Sequence, residues 1–292
     1  MDYGRLIVAM ATPFDKNKQV DFGKAAELAK RLVADGVTAF VASGTTGESP
    51  TLSREEKIQL IKTLKKAVSV PVIGNAGTND TAASIRNAKD AEEAGADGLL
   101  LVVPYYNKPD QGMLYDHFKA IAESVKIPSM LYNVPGRTAV SIKPETVVRL
   151  SRDVPNIKAI KEASGDLDAL SQIIRDAAPG FVCYTGEDSL TLPSLSVGAY
   201  GVVSVTGHVA GKTMKEMIDA YVAGDVAKAA KLHGKLLALH KALFMQPNPV
   251  PVKTALKLCG FDAGSLRPPL KDASEEVTQA LKKAMTDLGL LR

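Results

Sequence analysis

A lysine set among small and apolar residues is the first place to look for chemistry in this chain, and Lys161, within IKAIKEAS over residues 157–164, is such a lysine. If the run is a strand, side chains alternate between faces: Ile157, Ala159, Lys161 and Ala163 share one, and Lys158, Ile160 and Glu162 the other. Lysine is rarely buried without a partner, and desolvation favours the neutral amine, the form that attacks a carbonyl carbon to make a Schiff base. The alternative is that Lys161 lies at a strand end and snorkels its ammonium to solvent, the commoner fate of a strand lysine.

Other polar residues stand at the ends of apolar runs. Gly44-Thr45-Thr46-Gly47-Glu48 lacks the GK[ST] of a phosphate loop. It is either a plain glycine turn or a concave site in which the Thr45 and Thr46 amides receive a carboxylate. Tyr132 either shuttles a proton for a lysine adduct or packs with its hydroxyl tip satisfied. Arg137, shortly after Pro135, is a bidentate partner for a substrate carboxylate or a solvated loop residue. Tyr105 and Tyr106 are adjacent and point in opposite directions, so at most one looks into a shared pocket.

The elements that must position these groups are eight short runs rich in Val, Ile, Leu and Ala, beginning near residues 5, 37, 70, 98, 128, 157, 181 and 201. Helical periodicity separates them over 22–34, 54–68, 81–94, 111–125, 144–151 and 167–178. Ser53 followed by Glu56 makes a capping box, and Pro144 suits a first helical turn. In the seventh unit only 189–197 is available, with Pro193 inside, so that helix is short or kinked. Repeats of about 30 residues and eight strand-helix units predict an α/β fold, a (β/α)8 TIM barrel, whose active site gathers at the C-terminal ends of the strands. An eighth helix over 212–223 closes the barrel at 1–224, and 225–292 forms a C-terminal helical appendage with helices over 226–244, 251–258 and 273–288.

Composition narrows the class. A hydrophobic fraction of 46% and a charged fraction of 23% belong to an ordinary globular chain of 292 residues. The net charge of +4 is spread without a basic stripe, which disfavours nucleic acid as a partner, and no apolar run reaches membrane-spanning length. The N-terminal MDYGRLIVAMATPFD carries no basic leader, and Cys183 and Cys259 have no metal-type spacing, so a reduced cytoplasmic setting is expected. His117, His208, His233 and His240 form neither HxH nor HExxH, and the last two read as helix surface. A nucleophilic lysine without a metal motif suggests imine chemistry.

The segments ATPF, GTTGE, PYYNKP, LYNVPGRT, IKEASGDL, GVVSVTGH and PNPVPVK, in this order over essentially the whole chain, resemble the pyruvate-dependent, lysine Schiff-base aldolase family typified by dihydrodipicolinate synthase and N-acetylneuraminate lyase. The resemblance implies a covalent imine between pyruvate and Lys161, with no separate cofactor and no metal. It also implies a proton relay of Tyr132, Thr45 and Tyr106, with Tyr106 supplied by a second copy of the chain. The Thr45 and Thr46 amides would bind the pyruvate carboxylate, Arg137 the carboxylate of L-aspartate-4-semialdehyde, and Gly186 and the Val203 carbonyl would line the pocket. The usual family assembly is a homotetramer of two tight dimers.

Within the family, Arg137 and Thr45 are the pattern of members that condense pyruvate with L-aspartate-4-semialdehyde on the route to lysine and diaminopimelate. The rival readings are a lyase of N-acetylneuraminate or an aldolase of 2-keto-3-deoxy sugar acids on the same scaffold, and a catalytically silent barrel that binds a keto acid. One departure stands out. Members inhibited by L-lysine hold it at the dimer interface through histidines and a glutamate; here Arg54, Lys57 and Ala83 occupy those positions, while Ser49, Asn79 and Tyr105 remain. Losing the carboxylate and adding two cations implies weak or absent inhibition by L-lysine.

Overall fold

Eight parallel strands hydrogen-bond in sequence order and close on themselves, β1 (Leu6–Ala9), β2 (Ala39–Ala42), β3 (Val72–Asn75), β4 (Gly98–Val102), β5 (Ser129–Asn133), β6 (Ile157–Glu162), β7 (Val182–Thr185) and β8 (Gly201–Ser204), with β8 pairing back to β1. This is the expected (β/α)8 barrel, seen in a computed structural model that describes residues 2–291. Helices α1 (Phe22–Ala34), α2 (Arg54–Ala67), α3 (Thr81–Glu93), α4 (Gln111–Glu123), the single turn α5 (Pro135–Thr138), α6 (Pro144–Asp153), α7 (Leu167–Asp176), α8 (Thr191–Ser196) and α9 (Gly207–Val222) follow the strands. Beyond them come α10 (Val226–Ala242), α11 (Val250–Leu258) and α12 (Glu275–Asp287). No helix among the described residues is long and apolar enough to cross a membrane.

The period of two along each strand divides the core into layers. Ile7, Ala39, Val41, Ile73, Leu100, Met130, Ala159 and Val203 fill the barrel, while Leu6, Val8, Phe40, Val72, Leu99, Leu101, Leu131 and Ile160 face the helices. Full burial of one of the Leu, Ile or Val side chains contributes about 2 kcal/mol. Ile157 departs from the alternation expected for its strand: the register runs Ser129 to Ile157 and then Met130 to Ala159, so Lys158 is an extra residue on β6. That bulge turns Ile157 to the outer layer and leaves Ala159, Lys161 and Ala163 on the inner side.

Local chemistry sets the helix starts. Ser53 and Glu56 form the full capping box at α2, and Asp21, Asp80, Asp110 and Asp166 cap α1, α3, α4 and α7 with their carboxylates. Each such cap typically contributes about 1 kcal/mol. The seventh unit is short as expected, a 3-10 turn at Asp188–Leu190 followed by α8. Helix α9 begins earlier than the periodicity predicts, because its first turns are buried small residues, Gly207, Ala210 and Gly211, that carry no amphipathic pattern. It kinks at Ala210. His240 corrects the surface reading of α10: it is buried, its Nδ1 lies 2.8 Å from Thr206 Oγ1, and burial lowers its pKa.

Candidate active site

Strands β5 and β6 place Tyr132 directly across the ladder from Lys161. Both side chains point into the barrel at its C-terminal end, both are buried, and Lys161 Nζ lies 4.2 Å from the centroid of the Tyr132 ring. Their outward neighbours lock the pair in place. Asn133 Nδ2 donates to both oxygens of Glu162 at 3.1 and 2.9 Å, and the Ser164 amide donates to Glu162 Oε1 at 2.7 Å. Burial raises the Glu162 pKa while these hydrogen bonds oppose it. On the other flank stands Gly186, whose amide donates to the Glu162 carbonyl at 2.6 Å. A Cβ there would lie 2.7 Å from Lys161 Cε and 2.6 Å from Ala163 Cβ, so only glycine leaves room for the lysine.

After β2 the chain turns tightly through Gly44–Glu48: Gly47 N and Ser49 N both donate to the Gly44 carbonyl, and Glu48 N to that of Thr45. Among the described residues no other group takes up the amide hydrogens of Thr45 and Thr46. Thr46 is buried and its Oγ1 accepts from Asn248 Nδ2 at 2.8 Å. Glu48 adopts a left-handed backbone, φ 58°, a conformation that costs a non-glycine residue roughly 1 kcal/mol. Its carboxylate is buried against Lys253 Nζ at 2.7 Å. Burial lowers the pKa of Lys253 and the Glu48 carboxylate opposes that shift.

These two halves face each other across a cavity of about 370 Å³. Lys161, Tyr132, Thr45, Thr46, Gly186 and Arg137 all line it, the last from α5 and exposed at the mouth. Val203 lies deeper: its side chain fills the barrel interior, and Val205 is the residue of that segment lining the cavity. Tyr106 stands apart from the cavity. It is 88% exposed with φ 74°, and its neighbour Tyr105 is 42% exposed. The cavity also holds residues that the sequence reading passed over. Glu187 follows Gly186 at the end of β7, where the strand-end rule applied elsewhere would have found it; burial raises its pKa and the Lys161 charge opposes that shift. Phe244, Pro247 and Asn248 come from the stretch after α10, for which no strand-end rule gives a signal.

A buried amine thus stands against a phenol, with free amides facing them across a small cavity. The sequence profile of the Dihydrodipicolinate synthetase family matches residues 2–288. The chain belongs to that family. It is 52% identical over 290 residues, 99% of this chain and 100% of the other, to the 4-hydroxy-tetrahydrodipicolinate synthase of Bacillus subtilis (strain 168). The crystal structure of a dihydrodipicolinate synthase from Bacillus anthracis superposes with a TM-score of 0.96 at 51% identity, covering 98% of each chain. Another, from Cyanidioschyzon merolae with lysine bound, gives 0.97 at 43% identity over 99% of each. As a member of the dihydrodipicolinate synthetase family, the chain carries the barrel of these relatives from its first strand to its last helix.

Proposed function

We propose that this chain condenses pyruvate with L-aspartate-4-semialdehyde through a Schiff base on Lys161, giving 4-hydroxy-tetrahydrodipicolinate for lysine and diaminopimelate biosynthesis. The observation that carries the reading is the ladder register that sets Lys161 against Tyr132 inside a cavity closed on its far side by the Thr45–Thr46 turn. Similarity to 4-hydroxy-tetrahydrodipicolinate synthases over the full chain supports it.

The keto acid binds with its carboxylate on the Thr45 and Thr46 amides, which directs its carbonyl carbon toward Lys161 Nζ. The neutral amine adds to that carbon, the oxygen takes up protons and leaves as water, and the imine remains. Loss of a methyl proton gives the enamine, whose carbon attacks the aldehyde of the second substrate. The second substrate's amino group then displaces Lys161 by transimination, closing the ring and freeing the lysine. Tyr132 is the group next to Lys161 that carries protons to and from the tetrahedral adducts, a role that typically contributes 10²- to 10⁴-fold to rate. Thr45 extends the relay from the cavity wall. Arg137, at the mouth, receives the carboxylate of the semialdehyde as a bidentate pair. No cofactor beyond the covalent imine enters these steps.

Tyr106 completes the relay from a second copy of the chain, within a homotetramer built of two tight dimers. Its near-complete exposure, on a backbone outside the cavity, supports that placement. The reaction belongs to the cytoplasm. Borohydride reduction in the presence of pyruvate, followed by intact mass, tests the imine: the expected gain is one pyruvate less one oxygen, absent from Lys161→Ala. No adduct, or an adduct that survives that substitution, overturns the proposal. Condensation of aspartate semialdehyde, assayed beside cleavage of N-acetylneuraminate, decides the second substrate.

A further inference from the structure

The turn that presents the Thr45 and Thr46 amides is gripped twice, and both grips come from the chain beyond α10. Asn248 Nδ2 donates to Thr46 Oγ1 at 2.8 Å, which leaves the hydroxyl its own proton to donate elsewhere. Lys253, on α11, pairs with Glu48 at 2.7 Å, with side chains only 4% and 1% exposed. The second oxygen of Glu48 accepts from the Arg267 amide at 2.9 Å. Lys253 is itself fixed from two other directions, over the Phe14 ring at 4.1 Å and against the Ser265 carbonyl at 3.3 Å. Glu48, with its positive φ, is thus the residue of the turn that most needs outside support, and both of its carboxylate oxygens receive it.

A staple that merely fastened the C-terminal helices to the barrel would not have to touch this turn. One such staple exists nearby: Arg267 Nη2 and Nη1 donate to the two carboxylate oxygens of Glu56 on α2 at 2.6 and 2.9 Å, and its guanidinium also donates to the Lys18 and Thr51 carbonyls. The guanidinium of Arg267 reaches none of the residues 44–48, whereas the side chains of Lys253 and Asn248 end on the turn itself.

We propose that Lys253 and Asn248 are positioning residues for the keto-acid site, acting through Glu48 and Thr46 to hold the Thr45 and Thr46 amides in the orientation that receives the substrate carboxylate. The inference rests on the reading of that turn as the pyruvate-carboxylate site. Lys253 lies outside the cavity, and Asn248, which lines it, spends a side-chain amide hydrogen on Thr46 Oγ1. Loosening the turn therefore weakens capture of pyruvate while the chemistry of Lys161 and the site of the second substrate are left in place.

The experiment measures the pyruvate concentration giving half-maximal borohydride trapping, together with kcat and the KM for aspartate semialdehyde, on the full-length protein and on Lys253→Met, Asn248→Ala and Glu56→Gln. Lys253→Met is expected to raise the half-saturating pyruvate about tenfold and Asn248→Ala about threefold, with the semialdehyde KM changed less than about twofold. Glu56→Gln, which loosens the neighbouring staple and keeps an acceptor for the Ser53 amide in the capping box, is expected to shift pyruvate capture by less than about twofold. Adding Glu48→Gln to Lys253→Met removes the stranded charge while keeping an acceptor for the Arg267 amide, and restores part of the capture. Pyruvate capture unmoved in both variants, or moved equally by Glu56→Gln, overturns the inference. If Lys253→Met does not fold, Asn248→Ala decides alone. Absence of any adduct in the unaltered protein defeats the Schiff-base reading itself, whereas a normal adduct with unmoved variants defeats only the positioning role.

Discussion

The two walls of the cavity are built in different ways. The Lys161–Tyr132 wall is made of adjacent strands, and its geometry follows from ladder register and from a glycine that yields space. The Thr45–Thr46 wall is a loop, and its geometry is borrowed from residues roughly 200 positions away, as the Thr46–Asn248 hydrogen bond spans 202 positions. Backbone pairing makes the first wall stiff without help. The second depends on side chains meeting across the chain, which leaves its geometry adjustable without disturbing Lys161. In the proposed chemistry the stiff wall does the bond making and the borrowed wall does the capture.

That contrast can be broken from the strand side. Gly186→Ala pushes a methyl group to within contact distance of Lys161 Cε, so kcat should fall by about a hundredfold or more while half-saturating pyruvate changes little, as read from steady-state kinetics and trapping. An equal rise in half-saturating pyruvate would show that the walls are not independent. Acid should act on the fold rather than on either wall. His208 is buried and neutral, accepting from the Ala11 amide at Nε2 and lying 2.7 Å from the Val205 carbonyl at Nδ1, and burial pushes its pKa down to about 4. Because that value lies below the ordinary 6.5, the unfolded chain takes up the proton first. Stability is therefore complete above about pH 6.5 and is lost as pH falls toward 4, by an amount on the order of 3 kcal/mol for this group. His117, depressed to about 4 by burial outside the barrel, acts in the same direction. Urea titrations at pH 7 and pH 5 should show the drop, and His208→Gln should remove roughly half of it.

The smallest expected effect concerns L-lysine. Arg54 is held by Asp90 at 2.5 and 2.6 Å, so of the two cations anticipated near that surface it is already neutralised, while Lys57 is half-buried with burial lowering its pKa. Activity should change by less than about twofold at millimolar L-lysine. Strong inhibition at low concentration would show that this surface recognises the amino acid despite its altered residues.

Much of the stiff wall was legible in the residues themselves. Alternation assigned Lys161, Ala159 and Ala163 to one face, and sequence order in a closed barrel made Tyr132 the neighbour of Lys161. The bulge at Lys158 escaped because an extra residue in a strand leaves no trace in apolar periodicity, and it was Ile157 that paid with the opposite face. His240 escaped because a polar residue on an amphipathic helix is indistinguishable from surface until its partner, Thr206, is brought beside it. The borrowed wall was half visible. GTTGE announces a turn and PNPVPVK an irregular stretch between helices, yet nothing in either says that one closes on the other.

The origin of that second wall has a consequence in time. The residues of all eight strands have been made once the chain reaches residue 204, but Asn248, Lys253 and Arg267 have yet to be added. In the proposed chemistry, a nascent chain at that stage owns its nucleophile and lacks the anchors of its receptor, so Lys161 is synthesised well before the residues that would steady a keto acid against it.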